Sequence, residues 1–329
     1  MRIPALAVCL SLAACTGAQS VLDPGGDQAQ ALFSLFGLMI GVCGIVYAIV
    51  LAGLGRVLLR AWKRPVAMAD DIPDDRRLDR SLPVAAAAIA LGLTVLIVGS
   101  FLADRILFTG RQTPAVFVRV TGHQWWWRIQ YRDPASGRWI ETANELHLPR
   151  GETSRVSLGA ADVIHSFWVP AIAGKLDMIP GRRNVIDLTP RRTGWFRGQC
   201  TEFCGAQHAH MAFDVKVDSP AEFRAWLAAQ ATPAVAAGGA AGRGARVFAG
   251  SCATCHAIRG TEARGRAGPD LTHLASRRSI AAGTTTMTRG NLQGWIAQPQ
   301  AMKPGTSMPA VTLTPADANA VATYLAGLR

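Results

Sequence analysis

Two long stretches without a single charged residue, 28–55 and 81–103, constrain this chain more than any other feature. Each exceeds the roughly 20 apolar residues needed to cross the hydrocarbon core of a bilayer, so the pair predicts a transmembrane helical hairpin over 28–104. Burial inside a soluble protein is the other way to hide such runs, but their length and uniform lack of charge favour lipid. Between them lie Arg56, Arg60, Lys63, Arg64, Arg76, Arg77 and Arg80. Short basic loops stay in the cytoplasm, which places everything after Asp104 on the outer side, in the periplasm of a Gram-negative cell.

Ahead of the hairpin, Arg2 followed by the apolar run from Ile3 to Ala14 reads as a secretory signal over 1–14. Its end, Leu12-Ala13-Ala14-Cys15, resembles a bacterial lipobox, which would make Cys15 a lipidation site. Ordinary cleavage without lipid is the alternative. The net charge of +12 needs the same local reading. From Gly242 onward there are 10 basic against 3 acidic residues, a balance of +7, and the cytoplasmic loop adds more for topology. Nucleic acid is excluded as a partner because the basic segment is exported and carries no recognition motif.

Beyond the membrane the chain divides at an Ala/Gly/Pro-rich run, 231–242, which reads as a flexible linker. Upstream, over 111–230, alternating segments at 116–120, 125–131 and 156–158 are punctuated by Asp133-Pro134, Ser136-Gly137 and Pro180-Gly181, the pattern of a β-sandwich. Downstream, over 243–329, helical patterns flank a Cys-rich motif.

The upstream domain contains Cys200-x-Glu202-x-Cys204-x-x-x-His208-x-x-Met211, with His165 some way earlier. Thiolate, imidazole and thioether are the soft ligands that copper prefers; one Cys, two His and a weak Met would describe a mononuclear site. Two thiols on one loop allow two bridged copper ions, each completed by one His, with Met211 and the Glu202 carbonyl as weak axial groups. A bridged pair shares one electron over both metals and suits electron transfer. A disulfide between Cys200 and Cys204 is the alternative that an oxidising compartment permits, set against four further donor residues in place.

This loop resembles the CuA loop of cytochrome oxidase subunit II. So do Gly122-His123-Gln124-Trp125-Trp126-Trp127, His165-Ser166-Phe167-Trp168-Val169-Pro170 and Lys175-Leu176-Asp177-Met178-Ile179-Pro180-Gly181. With the hairpin, the likeness covers most of 28–230. It implies a cupredoxin-like sandwich and a magnesium ion at the interface with subunit I, reached by Glu202. Asp177 takes a supporting part near the copper, and Trp125 is the point at which electrons enter. Strand alternation would put Trp125 and Trp127 on one face and Trp126 on the other, with Trp126 and Trp127 as core or interface aromatics. His123, His147 and His210 read as surface or core histidines.

Cys252-Ala253-Thr254-Cys255-His256 is the C-x-x-C-H motif for covalent haem c, with thioethers from Cys252 and Cys255 and His256 as the proximal ligand. Gly244 and Phe248, four apart, offer one helix face to a C-terminal helix containing Tyr324 and Leu325. Gly268-Pro269-Asp270-Leu271 and Lys303-Pro304-Gly305-Thr306-Ser307-Met308-Pro309 resemble the proximal and axial-Met loops of class I cytochromes c. That resemblance implies an all-α cytochrome c domain with Met308 as sixth ligand; Met302 and Met287 are the alternatives, and His273 reads as surface.

The implied whole is an electron-input subunit of a haem-copper terminal oxidase. Haem c feeds the copper pair, and subunit I reduces oxygen and translocates protons, so no residue here is catalytic. Subunit I, subunit III, membrane lipid and a cytochrome c or upstream respiratory complex as donor are the implied partners, in the bacterial inner membrane. A membrane-tethered copper and haem carrier outside any oxidase is the alternative; a nitrous oxide type reductase is disfavoured by the hairpin. Two features depart from the family. Asp79-Arg80-Ser81-Leu82-Pro83 keeps only the Leu-Pro of the usual helix opening, which leaves a proton-uptake role for Asp79 or Asp75 without support. Residues 111–230 hold 15 basic against 11 acidic residues, so no acidic landing surface for a basic soluble donor is evident. A dozen flexible linker residues, spanning about 20 Å, would instead keep the haem at an effective concentration of roughly millimolar.

Overall fold

The computed structural model describes residues 17–63, 76–108, 113–234 and 242–329. The signal segment 1–14, Cys15, Arg64, Asp75 and the centre of the linker lie outside the described residues.

The two uncharged stretches form α1 (Asp27–Trp62) and α2 (Arg76–Phe108), each longer than a bilayer requires. Their apolar side chains point outward all round: Ile40, Ile49, Val84 and Ile97 are all more than half exposed. Such a surface suits lipid and not water. The helices meet where a side chain is missing, since a Cβ on Gly99 would lie 2.5 Å from Leu38 Cδ2.

Residues 17–29 and those from 113 onward that the structure describes make a separate compact unit with two cores. The first core lies within a sandwich of two five-stranded sheets. One runs β3 (Trp139–Ala143), β2 (Trp126–Arg132), β1 (Val116–His123), β5 (Ser154–Ala160), β8 (Asn184–Leu188). The other runs β4 (Glu145–Pro149), β10 (Ala212–Asp218), β9 (Gly194–Cys200), β6 (His165–Trp168), β7 (Leu176–Met178). Period-two patterning dictates the inner faces: Val116, Val118 and Val120 of β1 and Trp127, Ile129 and Tyr131 of β2 are buried. β4 breaks the alternation because its outer face is covered too. There His147 stacks on Trp226 at 3.9 Å between ring centroids. Trp226 belongs to α3 (Pro220–Ala231), whose start is fixed by a capping box between Ser219 and Glu222.

The second core is helical. α4 (Arg243–Ser251) crosses α7 (Pro315–Leu325) at Gly244, where a Cβ would lie 2.2 Å from the Ala320 carbonyl oxygen, and Phe248 then meets Tyr324 at 6.1 Å. α5 (Arg289–Ala297), the short α6 (Pro299–Met302) and the hairpin of β11 (Ser279–Ile280) and β12 (Thr285–Thr286) complete it.

Two sequence expectations change here. His273 is buried, at 5 % exposure, because its Nε2–H donates to the Thr232 carbonyl (3.1 Å) as the chain leaves α3. The start of the linker is therefore held and not free: Ala234 N bonds Arg259 O (3.4 Å), and Arg259 Nη2 donates to Gln230 O (2.6 Å).

Gly198 of β9 pairs in register with Phe213 of β10, and a Cβ there would sit 2.0 Å from the Phe213 ring. Gly198→Ala is expected to destabilise the exported fragment 111–329 by about 1–3 kcal/mol through overpacking. Urea denaturation checks this, and an unchanged midpoint would mean that the ring can yield.

Candidate copper and haem sites

The thiol loop is pinned at both ends by one sheet ladder. Cys200 closes β9, Met211 immediately precedes β10, and Cys200 N donates to Met211 O at 2.9 Å. The intervening chain, with a single 3-10 turn at His208–His210, has to return its donors to one point. Cys200 Sγ and Cys204 Sγ lie 3.7 Å apart as free thiols. His165, at the start of β6, brings its Nδ1 to 3.9 Å from Cys200 Sγ. His208 Nδ1 lies 3.7 Å and Met211 Sδ 3.8 Å from Cys204 Sγ, and the Glu202 carbonyl oxygen lies 3.2 Å from Cys200 Sγ. The ligating atoms of His165, Cys200 and Cys204 fall within 4.8 Å of one another, and all three residues are buried. The Glu202 side chain is exposed, and Asp177 faces Lys175 at 3.8 Å on the exterior.

The site sets the protonation of its own donors. His165 Nε2–H donates to Asp162 Oδ1 at 2.8 Å, so Nδ1 keeps its lone pair and faces the sulfurs. A hydrogen bond from Cys204 pulls the Cys200 pKa down, against burial, while the same bond pushes that of Cys204 up. The pair therefore carries a thiolate readily, and thiolate is the form that binds metal. Buried sulfur and imidazole donors converging without carboxylates fit copper chemistry. Gly122 makes room for the imidazole, since a Cβ there would lie 2.7 Å from the His165 ring.

In the helical domain, Cys252 caps α4, and the N–H groups of Cys255 and His256 both return to the Cys252 carbonyl at 3.1 and 3.0 Å. This turn aims the two thiols and the imidazole into one cavity. His256 Nδ1–H donates to Pro269 O at 2.8 Å, leaving Nε2 as the free ligand atom, and burial lowers the His256 pKa so that the ring stays neutral. Gly268 is required beside it, because a Cβ would sit 2.6 Å from the ring. The cavity is walled by Cys252, Cys255, His256, Met308, Leu325 and, from the sandwich, Trp125 and Trp126. Met302 instead reaches toward Gly294, and Met287 packs on the helical core. Arg277 also lines the cavity; it is buried, and its Nε has no hydrogen-bond partner. Its Nη2 donates to the Asp270 carbonyl oxygen, so the guanidinium is held at the wall with a donor left over, which suits a group that is flat, apolar and acidic at one edge, as haem with its propionates is.

Trp125 belongs to both sites. It lies in the turn before β2, outside the strand, so the expected alternation with Trp127 does not reach it. Its Nε1–H donates to Cys204 O at 2.9 Å, while its ring forms part of the haem cavity wall. Trp127 is fully buried against Phe167 and Phe213, and Trp126 is half-buried and stacks on His123 at 4.4 Å. His210 accompanies Gln207 at the loop's exterior, 2.8 Å away. Sequence reasoning missed Asp162, Arg277 and the role of Lys303. The one hint for Lys303 was a lone lysine among nine arginines after Gly242.

A two-thiolate loop on a cupredoxin-like sandwich, a covalent-haem motif on a helical domain and an apolar hairpin together define a membrane-anchored electron-transfer protein. Family models agree: residues 133–218 match "Cytochrome C oxidase subunit II, periplasmic domain" and residues 241–329 match "Cytochrome c". Cytochrome c oxidase subunit 2 of Alkalihalophilus pseudofirmus is 32% identical over 338 residues, which cover 99% of this chain and 96% of that protein. The Bacillus subtilis protein of that name is 33% identical over 227 residues, 65% of this chain and 63% of the relative. The crystal structure of the periplasmic domain of subunit II of cytochrome oxidase of Bradyrhizobium japonicum shares 32% identity and covers 36% of this chain and 96% of its own, with a TM-score of 0.34. The chain belongs to the cytochrome c oxidase subunit II family.

Two measurements follow from this geometry. Met308→Ala is expected to leave the haem attached while abolishing the Met-to-iron charge-transfer band; loss of that band in Met302→Ala instead would reverse the choice of ligand. The second concerns His147, whose Nδ1 and Nε2 face Asp218 (2.7 Å) and Glu145 (3.0 Å). Burial alone would lower its pKa, but the two carboxylates outweigh burial and the net shift is upward. The protonated ring therefore contributes stability that is fully present below about pH 6.5 and is lost as pH rises through the raised value. Thermal melts of wild type and His147→Gln should differ most at the acid end; a gap that widens with pH would contradict this.

Proposed function

We propose that this chain is the electron-input subunit of an oxygen-reducing haem-copper oxidase, in which Cys200 and Cys204 would hold a pair of copper ions between them. The observation that carries this reading is the position of Trp125, bonded to the Cys204 carbonyl and walling the cavity that holds His256 and Met308. When bound, the haem and the copper pair supply one-electron transfer toward the subunit that reduces oxygen. The side chains divide the work between the two centres. Cys252 and Cys255 would hold the porphyrin covalently, His256 and Met308 would ligate its iron, and Arg277 would face its acidic edge. His165, His208, Met211 and the Glu202 carbonyl would supply the remaining donors to the copper. Because the β9–β10 ladder and β6 fix these donors, the site would rearrange little when the bound copper takes up an electron.

The exposed carboxylate of Glu202 is free to reach a magnesium ion shared with subunit I. The hairpin crosses the bacterial cell membrane twice and docks against subunit I, with subunit III in the same assembly. The basic loop stays inside and both redox domains lie outside. A cytochrome c or an upstream respiratory complex supplies the electrons.

Metal analysis of the exported fragment 111–329 should give two coppers and one covalent haem per chain; a single copper would sink the binuclear assignment. In the assembled oxidase, changing Cys252 and Cys255 together to Ala should cut oxygen consumption with soluble cytochrome c severely while copper content stays normal. Unchanged turnover would mean that electrons bypass the haem domain.

A further inference from the structure

Lys303 plays no part in the reading above. It is 2 % exposed, a depth at which an amine is rare unless its donors are satisfied. Its Nζ donates to three backbone carbonyls, those of Trp125 (2.8 Å), His210 (2.9 Å) and Ala281 (3.0 Å). An ammonium has three N–H donors and no acceptor, so three carbonyls match it one to one. Two of these acceptors belong to the sandwich, while Lys303 and Ala281 belong to the helical domain. The side chain is therefore a polar rivet between the two cores.

The bonds around it run the same way. Gln207, inside the thiol loop, donates through Nε2 to Pro304 O at 2.8 Å. Ala212 N, at the start of β10, donates to Ala282 O at 3.0 Å, and Arg278 N donates to the Glu145 carboxylate at 2.9 Å. Ser279 Oγ bonds Asp214. Two residues after Lys303 the backbone crosses the indole: a Cβ on Gly305, at φ +82°, would lie 3.6 Å from Trp125. Trp125 is left 9 % exposed. A haem domain that merely searched from a flexible tether would need an open Trp125 and would leave Lys303 in water.

We propose that Lys303 holds the haem domain docked over Trp125, so that Trp125 serves the fused haem and is closed to a diffusing donor. This deepens the electron-input reading and rests on it. Lys303 is a positioning residue: it lines the edge of the haem cavity, but its ammonium acts through the backbone carbonyls of Trp125, His210 and Ala281. An external donor then has to deliver its electron to the haem domain.

The test uses the purified, full-length oxidase. Brief acetylation with an amine-reactive reagent, read by peptide mass spectrometry, is expected to modify Lys175, whose side chain is 55% exposed, at least about 100-fold faster than Lys303. Comparable rates would mean an undocked domain and would overturn the proposal. Lys303→Met then tests the rivet itself. Amide exchange at Ala212 and Arg278, whose N–H groups bond across the interface, should rise together by about tenfold, with the Met308 charge-transfer band retained. Unchanged exchange at both amides would remove Lys303 from the role. Should the variant fold badly, the acetylation result, which needs no variant, decides. Failure of the underlying reading is visible separately, as missing copper or haem in metal and optical analysis of the same preparation.

Discussion

The hydrogen bond from Trp125 Nε1 to the Cys204 carbonyl, 2.9 Å long, is the contact on which the rest of the arrangement turns. Gln124 Nε2 donates to the same oxygen at 2.7 Å, so the turn before β2 is fastened to the middle of the thiol loop by two donors. Glycine is needed where the loop passes the indole, because a Cβ on Gly205 would lie 3.1 Å from the ring, at a φ of +111°. The other side of the ring meets the helical domain. One aromatic side chain thus fixes the separation between the thiol loop and the cavity that holds His256.

The sandwich makes that contact reproducible. A loop with two thiols, two histidines and a methionine has many ways to be wrong, and here its ends are closed by the β9–β10 ladder while His165 is delivered by the neighbouring β6. Fully buried Trp127, Phe167 and Phe213 fill the space beneath, leaving little freedom for the donors above. Groups behind the imidazoles fix their orientation: Asp162 turns the His165 ring, and Pro269 O turns the His256 ring in the other pocket. Rigid donors suit electron transfer, whose barrier grows with rearrangement.

Much of this was legible in the sequence because it is local. Hydropathy alone marks the two helices; the Cys200 to Met211 spacing and the C-x-x-C-H motif carry their own chemistry; Gly244 and Phe248 announce the helix crossing. What stayed hidden depends on contacts between distant segments. Trp125 was read as part of a strand because period two continues through the three tryptophans, yet its neighbours come from positions 204 and 305. His273 and the start of the linker looked free because nothing nearby in sequence shows that Thr232 returns to cover them. Lys303 and Trp125 are 178 positions apart, and the acceptors on the lysine are backbone carbonyls, which leave no residue-type signature at all.

The central claim is that Trp125 links the haem pocket to the thiolate loop. It is tested most directly by the rate at which an electron placed on the haem by a light-activated reductant reaches the copper pair, compared between wild type and Trp125→Phe in the full oxidase. The expected result is markedly slower equilibration in the variant, with the optical and EPR spectra of both centres unchanged. An equal rate with intact spectra would contradict the account, since the electron would then reach the copper by a path that does not need the indole.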